Sequence, residues 1–139
     1  MNVKNSIFFL LLLFGGILYS SCEQNVSAHG KETYNRLCAN CHGENGEGLQ
    51  GLIPPLAGSD YLKNNKQIVA CIIKNGLNGE IEVNAKKYNQ AMPALSRNIT
   101  AADITNISNY ILSSWGNNFG ELTLPQIEEQ LNACKRDNF

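Results

Sequence analysis

At 139 residues, the chain is long enough for one domain and too short for two of ordinary size. Its net charge of −1 excludes the basic excess expected of a nucleic-acid-binding protein. Hydrophobic residues make up 43% of the chain, which permits a buried core, and their spread along the whole chain argues against a long disordered tail.

The first 21 residues have the pattern of an export signal. Lys4 precedes an apolar run at 7–19, and the small residues Ser20 and Ser21 follow it. The run is shorter than the roughly 20 residues that a membrane-spanning helix needs. We therefore expect residues 1–21 to be a signal peptide that sends the protein to the periplasmic side of a bacterial membrane.

Cys22 stands directly after this signal, where bacterial lipoproteins have the cysteine that receives a diacylglycerol. Tyr19 departs from that pattern, because such signals usually have leucine at this position. The alternative is ordinary signal cleavage nearby, which would leave Cys22 as a tail thiol. We expect lipidation, with residues 22–27 forming a short tether that keeps the domain at a membrane.

A C-x-x-C-H motif, formed by Cys38, Cys41 and His42, is the attachment signature of c-type haem. On a helix these three positions share one face, so both thiols can reach the haem vinyl groups while the imidazole reaches the iron. A thioredoxin-like redox pair would need a βαβ pattern, which is absent. A zinc site would need further ligands, and His29 is the only other histidine.

Met92 is the candidate for the opposite side of the iron. It is the only methionine apart from the initiator, and Pro93 after it helps to fix the loop. A lone methionine often fills space in a core, but His29 would have to wrap around the haem to compete. Ligation by His42 and Met92 would raise the reduction potential and favour electron transfer.

The rest of the chain predicts short helices and no strands. Within the proline segment at 54–55, the backbone carbonyl of Pro54 could accept the Nδ1 proton of His42. The alternative interpretation is that this segment is only a rigid surface turn. The helix at 66–75, ended by Gly76, is apolar on most sides, and we expect it to be buried against the cofactor. The helices are predicted at 31–37, 66–75, 100–115 and from Leu124 onward, with capping boxes at Thr100 and Asp103 and at Thr123 and Gln126.

Taken together, residues 28–116 resemble a bacterial class I, single-haem cytochrome c. The markers besides the haem motif are the segment 54–58, Tyr88 ahead of Met92, and the helix ending at 110–115. The resemblance implies an all-α fold of about four short helices wrapped around one covalent haem c. Residues 117–139 depart from the minimal pattern, and we expect a C-terminal helical extension that packs on the domain.

The resemblance also implies roles for individual residues. His42 would be the proximal ligand and Met92 the distal one, with the Pro54 carbonyl holding His42. Leu56 and Tyr88 would line the haem pocket. The first helix would cross the helix bearing Tyr110 at Gly30 and Tyr34.

The function implied is one-electron transfer in a respiratory or dehydrogenase-linked chain, without enzymatic activity. The expected partners are redox proteins such as a membrane dehydrogenase, oxidase or reductase, and the protein is expected to be a monomer. A haem enzyme or gas sensor is the alternative, and it would need Met92 to leave the iron.

Cys71 and Cys134 are the two cysteines left unassigned, because Cys22 is expected to carry lipid and Cys38 and Cys41 to bind haem. Both lie on apolar stripes, and an exported protein rarely keeps free thiols. A disulfide would close a loop of about sixty residues, which the chain-entropy estimate values at about 4 kcal/mol. Two separate buried thiols are the alternative.

Lipidation of Cys22 predicts a definite mature N-terminus. Mass spectrometry should find a diacylglycerol-modified Cys22 as the first residue, and Cys22→Ser should move the protein to the soluble fraction with its haem retained. An unmodified N-terminus elsewhere, or a soluble wild type, would contradict the prediction.

Overall fold

A computed structural model of the chain describes residues 24–95 and 98–134, so the predicted signal peptide and Cys22 lie outside the described residues. These two ranges contain six α-helices and one two-stranded antiparallel sheet. None of the helices in them is long and apolar enough to cross a membrane. In chain order the elements are α1 (Gln24–Leu37), α2 (Ala39–His42), α3 (Asp60–Asn64), a 3₁₀ turn (Lys66–Ile68), α4 (Val69–Asn75), β1 (Ile81–Val83), β2 (Lys86–Tyr88), α5 (Ala101–Ser113) and α6 (Leu124–Ala133).

Helices α1 and α5 cross at a glycine. A Cβ atom on Gly30 would overlap the carbonyl oxygen of Asn106 and lie 3.0 Å from the Cβ of Tyr110. Tyr34 of α1 is fully buried, and its ring centroid lies 5.3 Å from that of Tyr110 and 5.0 Å from that of Trp115. Each such aromatic pair contributes about 0.5–1.5 kcal/mol beyond area burial. The crossing expected at Gly30 and Tyr34 is therefore present.

Helix α5 is the centre of the core, since it packs against α1, α4 and α6. Its apolar stripe is buried as the sequence predicts, at Ile104, Ile107, Ile111 and Leu112. The stripe follows helical spacing, and Tyr110 beside it is also buried and packs on Tyr34 of α1.

Both predicted capping boxes are confirmed. At α5, the Thr100 side chain accepts the N–H of Asp103 at 3.1 Å, and the Asp103 carboxylate accepts the N–H of Thr100 at 3.0 Å. These bonds from Thr100 hold the pKa of Asp103 below its ordinary value. Thr123 and Gln126 make the corresponding pair at α6. Each box satisfies backbone donors that a helix start leaves without partners.

Helix α6 packs on α4 and α5, with Ile127 fully buried. Of the two alternatives left open for the remaining cysteines, the structure contains the disulfide between Cys71 of α4 and Cys134. Their Cα atoms are 5.7 Å apart, within the usual range for a bridge. The described part of the C-terminal extension is thus packed on the domain.

A short hairpin departs from the predicted helices and loops. Ile81 pairs with Tyr88, and Val83 pairs with Lys86. Strands of three residues are too short to show a clear alternation of apolar and polar side chains. The turn has positive φ at Asn84 (51°) and Ala85 (59°). Asn-Gly is the typical sequence for such a turn, so alanine in the second place gives no hairpin signal.

The position of α4 also differs from the expectation that it is buried against the cofactor. Val69, Ala70 and Ile73 are buried in the core cluster, where α4 meets α5 and α6. The walls of the cavity described below contain no residue of α4. The apolar character that suggested contact with a cofactor is explained by two neighbouring helices.

Glycine in place of Ala85 should stabilise the protein. An L-residue in the left-handed region costs roughly 1 kcal/mol, and glycine removes that cost. We expect Ala85→Gly to raise the midpoint of thermal unfolding, with a gain of up to about 1 kcal/mol. As a control, Asn84→Ala removes the acceptor of the Asp60 N–H bond (3.1 Å) and should lower the midpoint. A lower midpoint for Ala85→Gly would contradict this turn geometry.

Candidate cofactor-binding site

The two thiols and the imidazole belong to one turn of chain, formed by Cys38 and α2. Cys38 follows the end of α1, and its carbonyl accepts hydrogen bonds from the N–H groups of Cys41 (3.1 Å) and His42 (2.9 Å). Bonds from i+3 and i+4 to i are those of a helical turn. The backbone of the motif therefore forms the helical turn that its spacing predicts.

Cys38 and Cys41 are free thiols, and no disulfide joins them. Cys38 is half-buried, whereas Cys41 is exposed. Burial, with a smaller contribution from Cys41, raises the pKa of Cys38 to about 11. The Cys38 thiol is protonated at neutral pH, unlike the low-pKa thiolate of a dithiol redox pair.

Tyr34 ties this turn to the core. Its hydroxyl donates a hydrogen bond to the carbonyl of Gly43 at 2.7 Å, and burial raises the pKa of Tyr34 well above its usual range. Gly43, directly after His42, has a φ of +79°, which favours glycine and lets the chain turn away from α2. The α1–α5 core therefore holds the chain on both sides of His42.

A cavity of about 360 Å³ lies beside this turn, within the usual size range of cofactor sites. Its walls are mainly apolar. Among the described residues they include no carboxylate and no imidazole other than that of His42. The lining residues are Cys41, His42, Leu52, Ile53, Pro54, Leu77, Gly79, Ile81, Tyr88, Gln90, Ala91, Met92 and Pro93.

The Nδ1 atom of His42 is buried, and no described group completes a hydrogen bond to it. Burial lowers the pKa of His42, and the nearby Pro54 backbone acts in the opposite direction. Proline has no N–H, so the group responsible is its carbonyl. The role of the Pro54 carbonyl as acceptor of the Nδ1 proton stays a prediction.

Backbone hydrogen bonds fold the glycine-rich segment after His42 into a compact loop. The N–H of Gly48 donates to the His42 carbonyl at 2.8 Å, and Leu49 and Ile53 pair with each other. A Cβ atom on Gly48 would overlap the Ile53 carbonyl oxygen and lie 2.7 Å from that of Pro54. This close approach keeps Pro54 beside His42.

A buried asparagine holds the other end of this loop. The Asn117 side chain donates to the carbonyls of Leu56 (3.0 Å) and Ile111 (2.8 Å), and it accepts the N–H of Gly58 at 2.8 Å. It therefore links the loop to α5. Asn117 was not predicted from the sequence, because neither asparagine of the Asn117-Asn118 pair after the helix carries a pattern that marks it as buried.

Met92 is part of the cavity wall contributed by the segment after the hairpin. Its N–H donates to the Leu77 carbonyl at 2.9 Å, and the Leu77 N–H donates to the Met92 carbonyl at 3.0 Å. A Cβ atom on Gly76 would overlap the Met92 carbonyl oxygen and lie 2.8 Å from the nitrogen of Ala94. Only glycine permits this approach, which fixes the Met92 backbone against the end of α4.

The structure brings most of the predicted site residues to this cavity. Those that line it are Cys41, His42, Pro54, Tyr88 and Met92. Cys38 lies at the turn beside the cavity and packs against the core, and Leu56 also packs against the core. His29 lies elsewhere, with its Nε2 atom 3.5 Å from a carboxylate oxygen of Asp103.

Several lining residues were not predicted. Leu52 and Ile53 precede Pro54 directly, and this apolar pair beside a proline was an available signal. Leu77 and Ile81 flank or begin the hairpin, so their position depends on a fold element that the sequence analysis missed.

Comparisons with known proteins agree on one family. Residues 27–115 match the family model described as "Cytochrome c". A cytochrome c-552 from Thermus thermophilus is 33% identical over 109 residues, which cover 76% of this chain and 68% of the relative. A cytochrome c6 from Rippkaea orientalis is 28% identical over 107 residues, covering 77% of this chain and 87% of the relative.

A larger protein shares the same region. The cytochrome c subunit of a quinone alcohol dehydrogenase from Gluconacetobacter polyoxogenes is 34% identical over 93 residues. The match covers 66% of this chain but 19% of that subunit. The likeness is therefore confined to one part of the relative.

Alanine in place of Gly76 should disrupt the wall that contains Met92. The φ of +79° and the overlap with the Met92 carbonyl each cost about 1–3 kcal/mol. Gly116→Ala is a matched control, because its φ is +84° but a Cβ atom there would meet nothing within 4 Å. We expect Gly76→Ala to lower the midpoint of denaturant unfolding more than Gly116→Ala. An equal lowering of the midpoint in both variants would show that the close packing of Gly76 on Met92 does not contribute to stability.

Proposed function

Because the chain belongs to the cytochrome c family, we propose that it passes single electrons between redox proteins at the periplasmic side of a bacterial membrane. Membership of the family implies one covalently bound haem c, and the predicted fold class is confirmed with a small hairpin added. The relatives support an electron-carrier role. The observation that carries the proposal is that His42 and Met92 line one apolar cavity.

The residues around this cavity fit a haem. Cys38 and Cys41 are unbridged thiols on one helical turn with His42, which suits two thioether bonds and one iron ligand. The buried Nδ1 atom of His42 has no hydrogen-bond partner among the described residues, and the Pro54 carbonyl is the acceptor that we propose for it. Met92 supplies a thioether sulfur. These assignments are our proposal for attachment and axial ligation.

When bound, the haem supplies an iron that accepts and releases one electron. The surrounding residues set its environment. A Pro54 carbonyl that accepts the Nδ1 proton would fix the His42 ring and increase its basicity. The apolar side chains exclude water, and a Met92 sulfur on the iron raises the potential and keeps out other ligands.

The composition of the walls supports a carrier rather than an enzyme. A haem enzyme needs an open coordination position and an acid–base group near the reacting atoms. Within the described ranges, the cavity walls contain no carboxylate, and their single imidazole is the proposed proximal ligand. We therefore propose that the protein has no catalytic activity of its own.

The proposed partners are membrane-bound redox proteins. A relative that is the cytochrome subunit of a quinone alcohol dehydrogenase supports a dehydrogenase as one candidate, beside oxidases and reductases. We also propose that the protein acts as a monomer. A lipid on Cys22 would keep the domain near these partners, because the proposed tether at 22–27 is short.

Axial ligation by Met92 predicts a spectroscopic signature. The oxidised protein should show the weak near-infrared band of sulfur bound to iron, and Met92→Ala should abolish it, because no other described wall residue has a thioether. The same variant should lower the reduction potential and let carbon monoxide bind rapidly to the reduced protein.

A second wall residue of the same segment provides the control. Gln90→Ala should keep the near-infrared band and the slow response to carbon monoxide, because Gln90 is not a proposed ligand. Survival of the band in Met92→Ala, or rapid carbon monoxide binding to the wild type, would overturn the proposed ligation and favour a ligand-binding haem protein.

A further inference from the structure

The N-terminus of α4 lacks a cap from its own sequence. Ile68 occupies the N-cap position, and its side chain cannot accept a hydrogen bond. The first N–H groups of a helix have no partner inside that helix, so an acceptor must come from elsewhere. For one of these groups, at Ala70, the acceptor comes from the C-terminal helix.

Gln130 of α6 supplies this acceptor. Its Oε1 accepts the Ala70 N–H at 3.0 Å, and its Nε2 donates to the Lys66 carbonyl at 3.2 Å. One amide group thus caps α4 and holds the preceding 3₁₀ turn. The disulfide from Cys71, the next residue of α4, to Cys134 forms a second link between the two helices.

The opposite end of α4 meets the proposed sixth ligand. The helix ends at Gly76, whose missing side chain lets the backbone of Met92 approach closely. Leu77, one residue later, makes two backbone hydrogen bonds with Met92, of 3.0 and 2.9 Å. Helix α4 is seven residues long, about two turns, so the Gln130 cap and the contact with Met92 lie at the two ends of one short helix.

We propose that α6 positions Met92 through α4, with Gln130 as a positioning residue and the Cys71–Cys134 bridge as its covalent support. The inference rests on the proposed ligation by Met92. Without the cap, the first turn of α4 frays or shifts, and Leu77 moves with the helix. The Met92 sulfur is then held less firmly over the iron, and external ligands displace it more readily.

The test compares Gln130→Ala with Gln126→Ala in the full holoprotein. Gln126 is a matched control, because it lies on the same helix and its side chain also accepts a backbone N–H, that of Thr123 at 2.8 Å. This bond lies within the cap of α6 and does not touch α4. The two variants thus lose similar bonds at different places.

The readouts are the near-infrared sulfur-to-iron band and the association constants of azide and imidazole with the oxidised protein. We expect Gln130→Ala to weaken the band and raise both constants by roughly fivefold, the factor that one net hydrogen bond supplies. Gln126→Ala should leave band and constants unchanged. Equal constants for Gln130→Ala and the wild type, or equal increases in the two variants, would overturn the inference.

A second variant tests the covalent link independently. The double substitution Cys71→Ser and Cys134→Ser removes the bridge and should raise the azide constant in the same direction as Gln130→Ala. An unchanged constant would refute the role of the bridge. A wild type that lacks the near-infrared band would instead refute Met92 ligation, so failure of the proposed function is distinguishable from failure of this inference.

Discussion

The crossing of α1 and α5 at Gly30 is the constraint on which the other contacts depend. Because no side chain separates the helices there, Tyr34 reaches the Gly43 carbonyl at 2.7 Å and packs its ring against Trp115. The Trp115 ring in turn lies against Gly46, where a Cβ atom would be 2.6 Å from the nearest ring atom. A larger residue at position 30 would separate the helices and displace the chain on both sides of His42.

The wall that contains Met92 is anchored to a different helix. Gly76 and the paired backbones of Leu77 and Met92 attach it to the end of α4, which packs against α5 and α6. The wall with His42 and the wall with Met92 are therefore each attached to the helical core. A small domain with short helices can hold two walls of one cavity in this way, since each wall is fixed by hydrogen bonds to an element that packs in the core.

Burial disfavours the charged form of two proposed haem-binding groups near α2, the Cys38 thiol and the His42 imidazole. It raises the pKa of Cys38 to about 11 and lowers the pKa of His42, so that each group is favoured in its uncharged form. An apolar cavity stabilises uncharged groups because charged ones lose their hydration. The burial of these two groups therefore favours a neutral thiol at Cys38 and a neutral imidazole at His42.

The sequence by itself determined the features that depend on local spacing: the turn with Cys38, Cys41 and His42, the single methionine after it, and the two capping boxes. Each needs only residues within about one helical turn or a simple count of residue types. The hairpin at 81–88, the packing side of α4, the role of Asn117 and the choice between a bridge and two thiols were decided by the tertiary structure. These depend on contacts between segments far apart in the chain, and such contacts follow from the joint burial of several helices, which no local pattern records.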